Sequence, residues 1–393
     1  MQPTLRFPEF KDEWSYNLFN NIVTNRSKKF NPSTEEATND IELDSIEQNT
    51  GRLLNTYMSN QFTSQKNIFN KNSVLYSKLR PYLNKYYYSQ IDGVCSSEIW
   101  VLNTLNKDVL SNKFLYYFIQ TNRFNSVANK SAGSKMPRAD WGLVENIRLY
   151  KGTIEEQEKI GEFFSKLDQQ IELEEKKLEL LKQQKRGYMQ KIFSQDLRFK
   201  DENGNEYSKW VTQKIKELGN VYTGNTPSKK QSANWNSNNY IWVTPTDINN
   251  KKDIKNSEYM LSDEGFKKAR QLPKNTLLIT CIASIGKNAI LREVGSCNQQ
   301  INALVPNNDK NVDFLYYAFE KVSKYMKRIA GKTATQIVNK STFKNISIEV
   351  PNLEEQLKIG IFLNSFDKLI EKKVSKIELL KQRKQGLLQK MFV

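Results

Sequence analysis

Residues Thr153–Phe193 read TIEEQEKIGEFFSKLDQQIELEEKKLELLKQQKRGYMQKIF, and residues Asn352–Phe392 read NLEEQLKIGIFLNSFDKLIEKKVSKIELLKQRKQGLLQKMF. The two segments align without a gap, and roughly half of their positions are identical. Agreement of this kind indicates an internal duplication, and the duplication determines the overall architecture of the chain. The chain is therefore one unit written twice: a globular domain followed by a long charged helix, and then the same arrangement again.

Both segments are predicted to be helices, because they are rich in Glu, Lys, Leu and Gln and lack Pro. Each carries a stripe whose spacings alternate between four and three, which is typical of a coiled-coil seam. At 1.5 Å per residue, about 40 residues give a rod of roughly 60 Å. The stripes comprise Ile160, Phe164, Leu167, Ile171, Glu174, Leu178, Leu181, Lys185, Tyr188 and Ile192, and then Ile359, Leu363, Phe366, Ile370, Lys373, Ile377, Leu380, Lys384, Leu387 and Met391.

The two helices are expected to pair with each other in antiparallel fashion. The first ends where the second globular domain begins, the second starts where that domain ends, and the termini of a compact domain lie near each other. Because the helices are equally long, their midpoints should meet, so Glu174 and Lys373 are predicted to pair and fix the register. The stripes also allow a coiled coil between two copies of the chain, or packing of the helices on other subunits.

The globular parts are predicted to be α+β domains. Strand-like runs such as Val74–Tyr76 and Leu277–Thr280 mix with helix-like runs such as Asn112–Asn122. The motif Phe114–Phe118 returns as Phe314–Ala318, so these parts repeat as well, although more faintly. The predicted boundaries are 1–152 for the first globular domain, 153–196 for the central helix, 197–351 for the second globular domain and 352–393 for the C-terminal helix.

The charge of the chain favours a polyanionic partner. The sequence has 393 residues, with 60 Lys and Arg against 43 Asp and Glu, and a formal net charge of +17. Such an excess is typical of proteins that bind nucleic acid or an anionic membrane surface. Compositional drift in a biased genome is the alternative, because the chain is also rich in Asn, Ile and Tyr.

The composition argues against several kinds of chemistry. The chain has no histidine, so the commonest general base and metal ligand is missing. Cys95, Cys281 and Cys297 form no CxxC pair, which argues against a zinc site or disulfide framework and fits a reducing cytoplasm. The longest apolar stretch, Leu277–Gly286, is too short to span a bilayer, so no membrane association is expected.

Loops in both globular domains carry the residue types that nucleic acid requires. Glycine permits close approach of the backbone, lysine and arginine contact phosphates, and Thr, Asn and Gln contact phosphates or base edges. Ordinary solvated turns are the alternative for any one loop. The candidates in the first domain are Arg26, Lys28, Lys29, Lys78, Arg80, Tyr82, Ser134, Lys135 and Arg138. Those in the second are Thr223, Asn225, Thr226, Ser228, Lys229, Lys230, Thr246, Ser284, Lys287, Asn288, Lys332, Thr333, Thr335 and Gln336.

Motifs for cofactor chemistry are missing from the sequence. It contains no GxG pair of a dinucleotide or S-adenosylmethionine loop, and Gly286-Lys287 lacks the earlier glycine of a Walker A loop. It also lacks the Asn/Asp-Pro-Pro-Tyr/Phe motif of base methylation. Catalysis by this chain alone is not expected, and no catalytic or metal-binding residues are predicted.

The sequence resembles the DNA-specificity subunits of type I restriction–modification systems over nearly its whole length. In the first domain the resemblance retains Met136-Pro137-Arg138 and Glu155-Glu156-Gln157. It lacks the Thr-Gly-Asn-Thr-Pro and Ile-Trp-Val-Thr-Pro-Thr-Asp motifs, which suits two domains that recognise different sequences. The motifs that carry it in the second half are Thr223–Lys229, Ile241–Ile248, Ser284–Lys287, Lys344–Pro351 and Glu354–Ile359.

The resemblance implies a non-catalytic subunit whose two globular domains are target recognition domains, each binding one half of a bipartite, asymmetric site in double-stranded DNA. The paired helices would set the spacing and dock two methyltransferase subunits, and restriction or translocase subunits would join the complex. S-adenosylmethionine, ATP and Mg²⁺ would belong to those partners. Two other functions stay open from the residues alone: a DNA-binding scaffold without enzyme partners, and an RNA-binding module.

Overall fold

The structure is a computed structural model that describes residues 1–130, 135–248, 251–330 and 337–393. The chain forms two compact units. The first unit comprises Met1–Lys176 together with Val374–Val393, and the second comprises Lys177–Lys373. Each unit therefore contains one globular domain, a part of the central helix and a part of the C-terminal helix.

The first unit contains eleven of the described strands. They are β1 (Ser15–Leu18), β2 (Val23–Thr24), β3 (Lys29–Phe30), β4 (Asn39–Ile41), β5 (Tyr57–Met58), β6 (Lys66–Phe69), β7 (Val74–Ser77), β8 (Tyr86–Tyr88), β9 (Gly93–Cys95), β10 (Ile99–Thr104) and β11 (Arg148–Lys151). The helices of this half of the chain are α1 (Phe19–Ile22), α2 (Asn112–Phe118), α3 (Asn122–Ala128), α4 (Trp141–Val144) and the long helix α5 (Ile154–Phe193), whose last part belongs to the second unit.

The second unit contains ten described strands. They are β12 (Val211–Lys214), β13 (Gly219–Thr223), β14 (Tyr240–Val243), β15 (Asp253–Ile254), β16 (Tyr259–Leu261), β17 (Thr276–Thr280), β18 (Asn288–Leu291), β19 (Gly295–Cys297), β20 (Ile301–Pro306) and β21 (Ser347–Val350). Its helices are α6 (Ile215–Leu218), α7 (Asp263–Lys268), α8 (Val312–Ala330), α9 (Lys340–Lys344) and the long helix α10 (Leu353–Met391), whose last part belongs to the first unit.

The sheets of the two units share their central strand pairings but differ in the number of strands. The principal sheet has the order β2-β10-β7-β8 in the first unit and β13-β20-β17-β18-β15 in the second. In the first unit β4 runs parallel to β9 and antiparallel to β5, and in the second β14 runs parallel to β19 and antiparallel to β16. A two-stranded ribbon, β1-β11 or β12-β21, completes each domain. The predicted α+β class and the duplication are both confirmed.

The predicted stripes on the long helices are largely the faces that each unit buries. Ile160 and Phe164 enter the apolar core of the first unit, and Ile359 and Leu363 enter that of the second. The other end of each helix contributes to the opposite core, with Met391 in the first unit and Ile192, from α5, in the second. Removal of this apolar surface from water stabilises the helices, which their charged composition alone would not do.

Within each unit the two helix segments run antiparallel, as predicted. In the first unit Lys376 pairs with Glu174 at 2.9 Å and Lys384 with Asp168 at 2.7 Å, so residue numbers rise along α10 as they fall along α5. The second unit shows the same order in the ion pair of Lys185 with Asp367 and in the contact of Tyr188 with Phe362.

Within the first unit, Glu174 is only 5% exposed, and its Oε1 accepts a hydrogen bond from Lys376. Lys376 lies one helical turn beyond Lys373, the predicted register partner of Glu174. A pairing of Glu174 with Lys373 would join residues of different units and stays a prediction.

A buried glutamate ties the first turn of each long helix to its own domain. Glu156 accepts two hydrogen bonds from Arg6, at 2.6 and 2.8 Å, and one from the indole of Trp14 at 2.9 Å. Glu355 makes the same contacts with Arg198 and Trp210. Both glutamates lie at a helix N-terminus, where the helix dipole favours a negative charge.

The adjacent glutamine fastens a second loop to the same turn. Gln157 donates to the carbonyl oxygens of Val109 and Gly152 and accepts a hydrogen bond from the backbone N–H of Ser111. Gln356 makes the matching contacts in the second unit. The repeated Glu-Glu-Gln motif is therefore a joint between helix and domain.

The first residues of the chain contact its last residues within the first unit. The backbone N–H of Leu5 donates to the carbonyl oxygen of Lys390 at 2.9 Å, and the Leu197 N–H donates to Lys191 in the second unit. Leu5 is thus bound to the end of α10 in the first unit as Leu197 is bound to the end of α5 in the second. Among the described residues, no helix has the length and apolar character needed to cross a membrane.

Candidate nucleic-acid interface

Three adjacent strands of the second unit meet at one end of the principal sheet. β13 finishes at Thr223 and β17 at Thr280, while β20 starts at Ile301, and the pairing register puts these residues at the same sheet end. The segments that follow β13 and β17, and the turn before β20, therefore leave the sheet together. This end of the sheet carries two of the predicted contact segments, 223–230 and 284–288.

The segment after β13 is held close to the turn before β20. A Cβ atom on Gly224 would lie 2.2 Å from the carbonyl oxygen of Cys297, so only glycine fits there. The side chain of Asn225 accepts from the Arg270 backbone N–H at 2.6 Å and donates to the Lys268 carbonyl at 2.9 Å. The Asn225 amide thus fixes the loop, although the sequence analysis proposed it as a DNA contact.

Hydroxyl groups of the same segment bond to polar residues at the start of β20. Thr223 donates to Asn302 Oδ1 at 2.9 Å, and Thr226 donates to Gln299 Oε1 at 2.6 Å. Thr226 and Gln299 are both exposed, whereas Thr223 is half-buried. Thr226 is therefore the better placed of the two threonines to contact a ligand in solution.

Lys229 extends over an aromatic surface. Its Nζ lies 5.0 Å from the centre of the Tyr259 ring and 6.0 Å from the centre of the Trp242 ring. The Trp242 indole donates to the backbone carbonyl of Asn225 at 3.0 Å, which fixes the ring beneath the loop. Ser228 and Lys230 are exposed on the same segment. Lysines held in this way present a defined positive charge to phosphates.

The segment after β17 turns through Gly286, whose φ is +82°. Ser284 is half-buried, and Lys287 is exposed while its backbone N–H donates to Thr280 Oγ1 at 3.0 Å. Asn288 begins β18, and its amide donates to the Tyr316 carbonyl at 2.9 Å. Asn288 thus supports the fold, and Lys287 is the side chain of this segment that reaches solvent.

Thr246 lies in the turn after β14. It is exposed, and its hydroxyl lies 2.7 Å from that of Thr244. Thr244 in turn donates to Asp247 Oδ2 at 2.7 Å. The conspicuous Thr-Pro-Thr-Asp motif therefore builds a rigid turn with one hydroxyl at its surface.

The first unit has the equivalent sheet end. β7 finishes at Ser77 opposite Ile99, where β10 starts, so these two ends meet. β2 finishes at Thr24 opposite Asn103, nearer the other end of β10. The predicted contact segment 78–82, which follows β7, therefore lies at the sheet end that corresponds to the end of β17 in the second unit.

In the first unit, the predicted contact segment around Arg138 is bound directly to the segment 78–82. Leu79 bridges Arg138, the Arg80 N–H donates to the Pro137 carbonyl at 2.8 Å, and the Ala139 N–H donates to the Lys78 carbonyl at 2.7 Å. Arg80, Tyr82, Lys135 and Arg138 are exposed, and Lys78 is half-buried. These residues form one basic surface, which we call the 78–138 surface.

The cations after β2 lie at the edge of the neighbouring sheet. Arg26, Lys28 and Lys29 are all exposed, and Lys29 donates to Asn67 Oδ1 at 2.6 Å. Asn67 in turn donates to the backbone carbonyl of Ile99 at 3.0 Å. Lys29 is therefore connected to the start of β10, next to the 78–138 surface.

Five of the predicted contact residues lie outside the described residues: Ser134, Lys332, Thr333, Thr335 and Gln336. Their role in DNA binding stays a prediction.

Two further residues at this sheet end were not singled out from the sequence. Glu98, directly before β10, accepts two hydrogen bonds from Arg138, and Gln299, two residues before β20, accepts one from Thr226. The signal was present in the repeat: the Gly-x-Cys motif of each domain is followed by three polar residues that differ between the domains. They read Ser96-Ser97-Glu98 and Asn298-Gln299-Gln300.

The three cysteines are free and buried. Burial raises the pKa of Cys281 to about 11 and that of Cys297 to about 12, and it also raises the pKa of Cys95. A thiol in this state is a poor nucleophile and a poor metal ligand. Across the described ranges, no group of three or more Cys, Asp and Glu side chains is arranged to hold a metal ion.

Comparisons with known proteins agree with the duplicated architecture. The family model described as "Type I restriction modification DNA specificity domain" matches twice, at residues 18–183 and 207–382. The chain is 34% identical over 190 residues to the MjaIX type I restriction enzyme specificity subunit of Methanocaldococcus jannaschii, a match that covers 47% of this chain and 44% of that protein. It is 25% identical over 323 residues to the MjaVIII subunit of the same organism, covering 75% and 72%.

Solved structures share the fold. The S subunit of a type I restriction–modification system from M. genitalium superposes with a TM-score of 0.60 at 16% identity, covering 100% of this chain and 99% of that one. A chain from a structural study of complex assembly in the type I system superposes with a TM-score of 0.64 at 16% identity, covering 98% of both. Since the family model covers most of the chain in two copies, this protein belongs to the family of type I restriction–modification DNA specificity domains.

Proposed function

We propose that the protein is the non-catalytic DNA-specificity subunit of a type I restriction–modification complex. Each globular domain binds one half of a bipartite, asymmetric site in duplex DNA. Because the chain spans less than half of the length of MjaIX, the activity of the whole system is part of this proposal.

One observation carries the proposal. In each unit exposed cations such as Arg80 and Lys287 lie at the same end of the principal sheet, on the loop that follows the matching strand, β7 or β17. A rigid sheet with variable loops at one end allows two domains of one fold to recognise different sequences. The net charge of +17 supplies the attraction for phosphates, which accounts for most of the affinity of DNA-binding proteins.

The partners in this proposal are two methyltransferase subunits and the restriction or translocase subunits. The long helices would dock the methyltransferases, since exposed leucines such as Leu180 and Leu379 line their outer surfaces. S-adenosylmethionine, ATP and Mg²⁺ would be bound by those subunits. A subunit that only binds DNA needs no cysteine nucleophile and no histidine, which agrees with the buried thiols and the composition.

The proposal is tested by methylation mapping. The chain is purified with the methyltransferase that binds it, incubated with S-adenosylmethionine and plasmid DNA, and the modified bases are located by sequencing. We expect adenine methylation within two short half-sites separated by a fixed spacer. Methylation without sequence preference, or a stable chain that retains no methyltransferase, would contradict it, and tighter binding to RNA than to duplex DNA in competition would favour an RNA-binding module.

The role of the helices as a spacer is tested separately. One heptad is inserted at matched places in α5 and α10, which keeps the apolar stripe in phase. We expect the preferred spacer between half-sites to lengthen while each half-site stays the same. A control with the heptad inserted in α5 alone disturbs the register and should lose activity, and an unchanged spacer in the matched variant would exclude a ruler function.

A further inference from the structure

The turn that precedes β10 in the first unit and β20 in the second carries different polar side chains in each unit. In the first unit Glu98 pairs with Arg138, with Nε–Oε2 and Nη2–Oε1 distances of 2.9 and 3.2 Å. In the second unit Gln299, in the turn before β20, accepts a hydrogen bond from Thr226, which lies on the segment after β13. The two turns precede matching strands and present different polar groups, as is required of a position that determines specificity.

The Glu98–Arg138 pair is both exposed and rigidly mounted. The side chain of Arg138 is 49% exposed and that of Glu98 is 26% exposed, so both reach solvent. The backbone carbonyl of Glu98 accepts from the N–H of Lys78 at 3.0 Å, and Lys78 accepts from Ala139, next to Arg138. Both side chains therefore start from backbone positions that are fixed relative to each other.

Exposed ion pairs contribute little to stability, about 0–1 kcal/mol, so a contribution to folding is a weak explanation for the presence of the Glu98–Arg138 pair. Its chemistry matches one base pair. In the major groove a G·C pair presents the O6 and N7 acceptors of guanine beside the N4 donor of cytosine. A guanidinium supplies paired donors and a carboxylate supplies acceptors, so the dyad complements G·C in both halves, whereas A·T places a methyl group and an acceptor where the carboxylate would lie.

We propose that Glu98 and Arg138 together recognise a G·C base pair in the half-site of the first domain. Glu98 holds the guanidinium plane in the orientation that guanine requires and accepts a hydrogen bond from the cytosine amine. In the second domain the matching turn presents Gln299, which is bound to Thr226, and gives that half-site a different preference. This inference rests on the proposed function, because it assumes that the chain binds duplex DNA through these loops.

The test is selection from a random duplex library by the whole chain in complex with its methyltransferase. The variants are Arg138→Lys, which keeps the charge and loses the paired donors, and Glu98→Gln, which replaces one acceptor oxygen with a donor. We expect each to lose about 10- to 100-fold of the discrimination for G·C at one position of one half-site. The other half-site, read by the unchanged domain, serves as the internal measure of folding, and Arg148→Gln, an exposed arginine on β11, is the matched control.

The outcomes are distinct. Loss of preference confined to one G·C position supports the assignment. An unchanged consensus, or uniformly weaker binding to all sequences, overturns it, because uniform weakening marks a phosphate contact. A wild-type complex that selects no sequence overturns the proposed function itself, and with it this assignment.

Discussion

Lys384 Nζ lies 2.7 Å from Asp168 Oδ1, and the other oxygen of this carboxylate accepts a hydrogen bond from the hydroxyl of Tyr117 at 3.0 Å. Lys384 also donates to Gln120 Oε1 at 3.0 Å. One lysine in the apolar stripe of α10 therefore connects α10 to α5 and to the end of α2. The hydrogen-bonding groups of this lysine, which interrupts the apolar stripe, thus find a partner in the globular domain as well as on α5.

The second unit contains the same arrangement with the helices exchanged. Lys185 of α5 pairs with Asp367 of α10, which accepts a hydrogen bond from Tyr317. The duplicated chain thus uses the same lysine–aspartate–tyrosine contact twice to fix the helices against their domains. Polar groups that must find each other in a buried seam specify register better than apolar contacts do.

Replacement of the seam lysine should destabilise the first unit. Lys384→Met keeps the aliphatic stem but leaves Asp168 and Tyr117 without their cationic partner, so we expect a loss of about 2–4 kcal/mol in the free energy of unfolding. Urea denaturation followed by tryptophan fluorescence measures the change. The control is Lys166→Met on the exposed face of α5, where the side chain is 71% exposed and the expected change is under about 0.5 kcal/mol. Equal effects of the two variants would show that the seam contact contributes nothing specific.

The free energy of unfolding should fall when the buried glutamate at the start of a long helix loses its charge. Glu156→Gln removes the carboxylate that binds Arg6 and Trp14, and a buried arginine contact of this kind should cost about 2–3 kcal/mol. Glu158→Gln, an exposed change in the same turn, is the matched control. Differential scanning calorimetry provides the readout. Stability equal to that of the wild type would mean that the helix is held by its apolar contacts alone.

A buried charge cluster in the first unit predicts a pH-dependent variant. Lys66, which is 1% exposed, pairs with Asp40 at 2.9 Å and with Glu42. Burial already raises the pKa of Asp40, and the hydrogen bond from Lys66 opposes that rise. Lys66→Met removes the opposing cation, so the buried Asp40 must either stay charged without a partner or take up a proton at neutral pH, at a cost of about 3–5 kcal/mol.

The sign of the pH effect follows from the direction of that shift. A carboxyl whose pKa is higher in the folded protein than in the unfolded chain destabilises the fold increasingly as the pH rises above its unfolded value. The stability gap between Lys66→Met and the wild type should therefore shrink as the pH falls from 7 to 5. The double variant Lys66→Met/Asp40→Asn should recover part of the loss at pH 7. A gap independent of pH would assign the loss to packing.

Lys229 should contribute to DNA binding through phosphates. Lys229→Gln leaves the rings of Tyr259 and Trp242 in place and removes one positive charge from the loop. We expect uniformly weaker binding across sequences and a decrease of about 1 in the slope of log affinity against log salt. Lys368→Gln, an exposed change on α10, is the control of equal charge. A changed base preference would instead place Lys229 at a base edge.

The three thiols should be unreactive in the folded protein. Burial holds the pKa of Cys281 near 11 and that of Cys297 near 12, so the reactive thiolate is scarce at pH 8. A chromogenic disulfide reagent should detect almost no thiol in the native chain at that pH and three thiols after denaturation in urea. Rapid reaction of one cysteine in the native state would show that its surroundings open in solution.

The repeated segment was enough to predict the duplication and the long helices, and the strand-like and helix-like runs of the globular parts predicted the α+β class. Contacts such as Lys384 with Asp168 could not be predicted, because these residues are far apart in the sequence; the pairing of Glu174 with Lys373 stays a prediction. Residue type identified the basic loops, but it could not show that the exposed Asn225 also bonds to the backbone of Arg270 and Lys268. Glu98 was missed because its role depends on a long-range partner, Arg138.

The first unit is completed by the last twenty residues of the chain, which include Leu388, Met391 and Phe392 of its apolar core. During synthesis the second unit has all of its residues available before the first does. A stop codon just after Lys373 would therefore leave the second unit intact, although the codon lies next to it, and would damage the first unit. Mutations that truncate the end of this protein should accordingly abolish recognition of the half-site that belongs to its beginning.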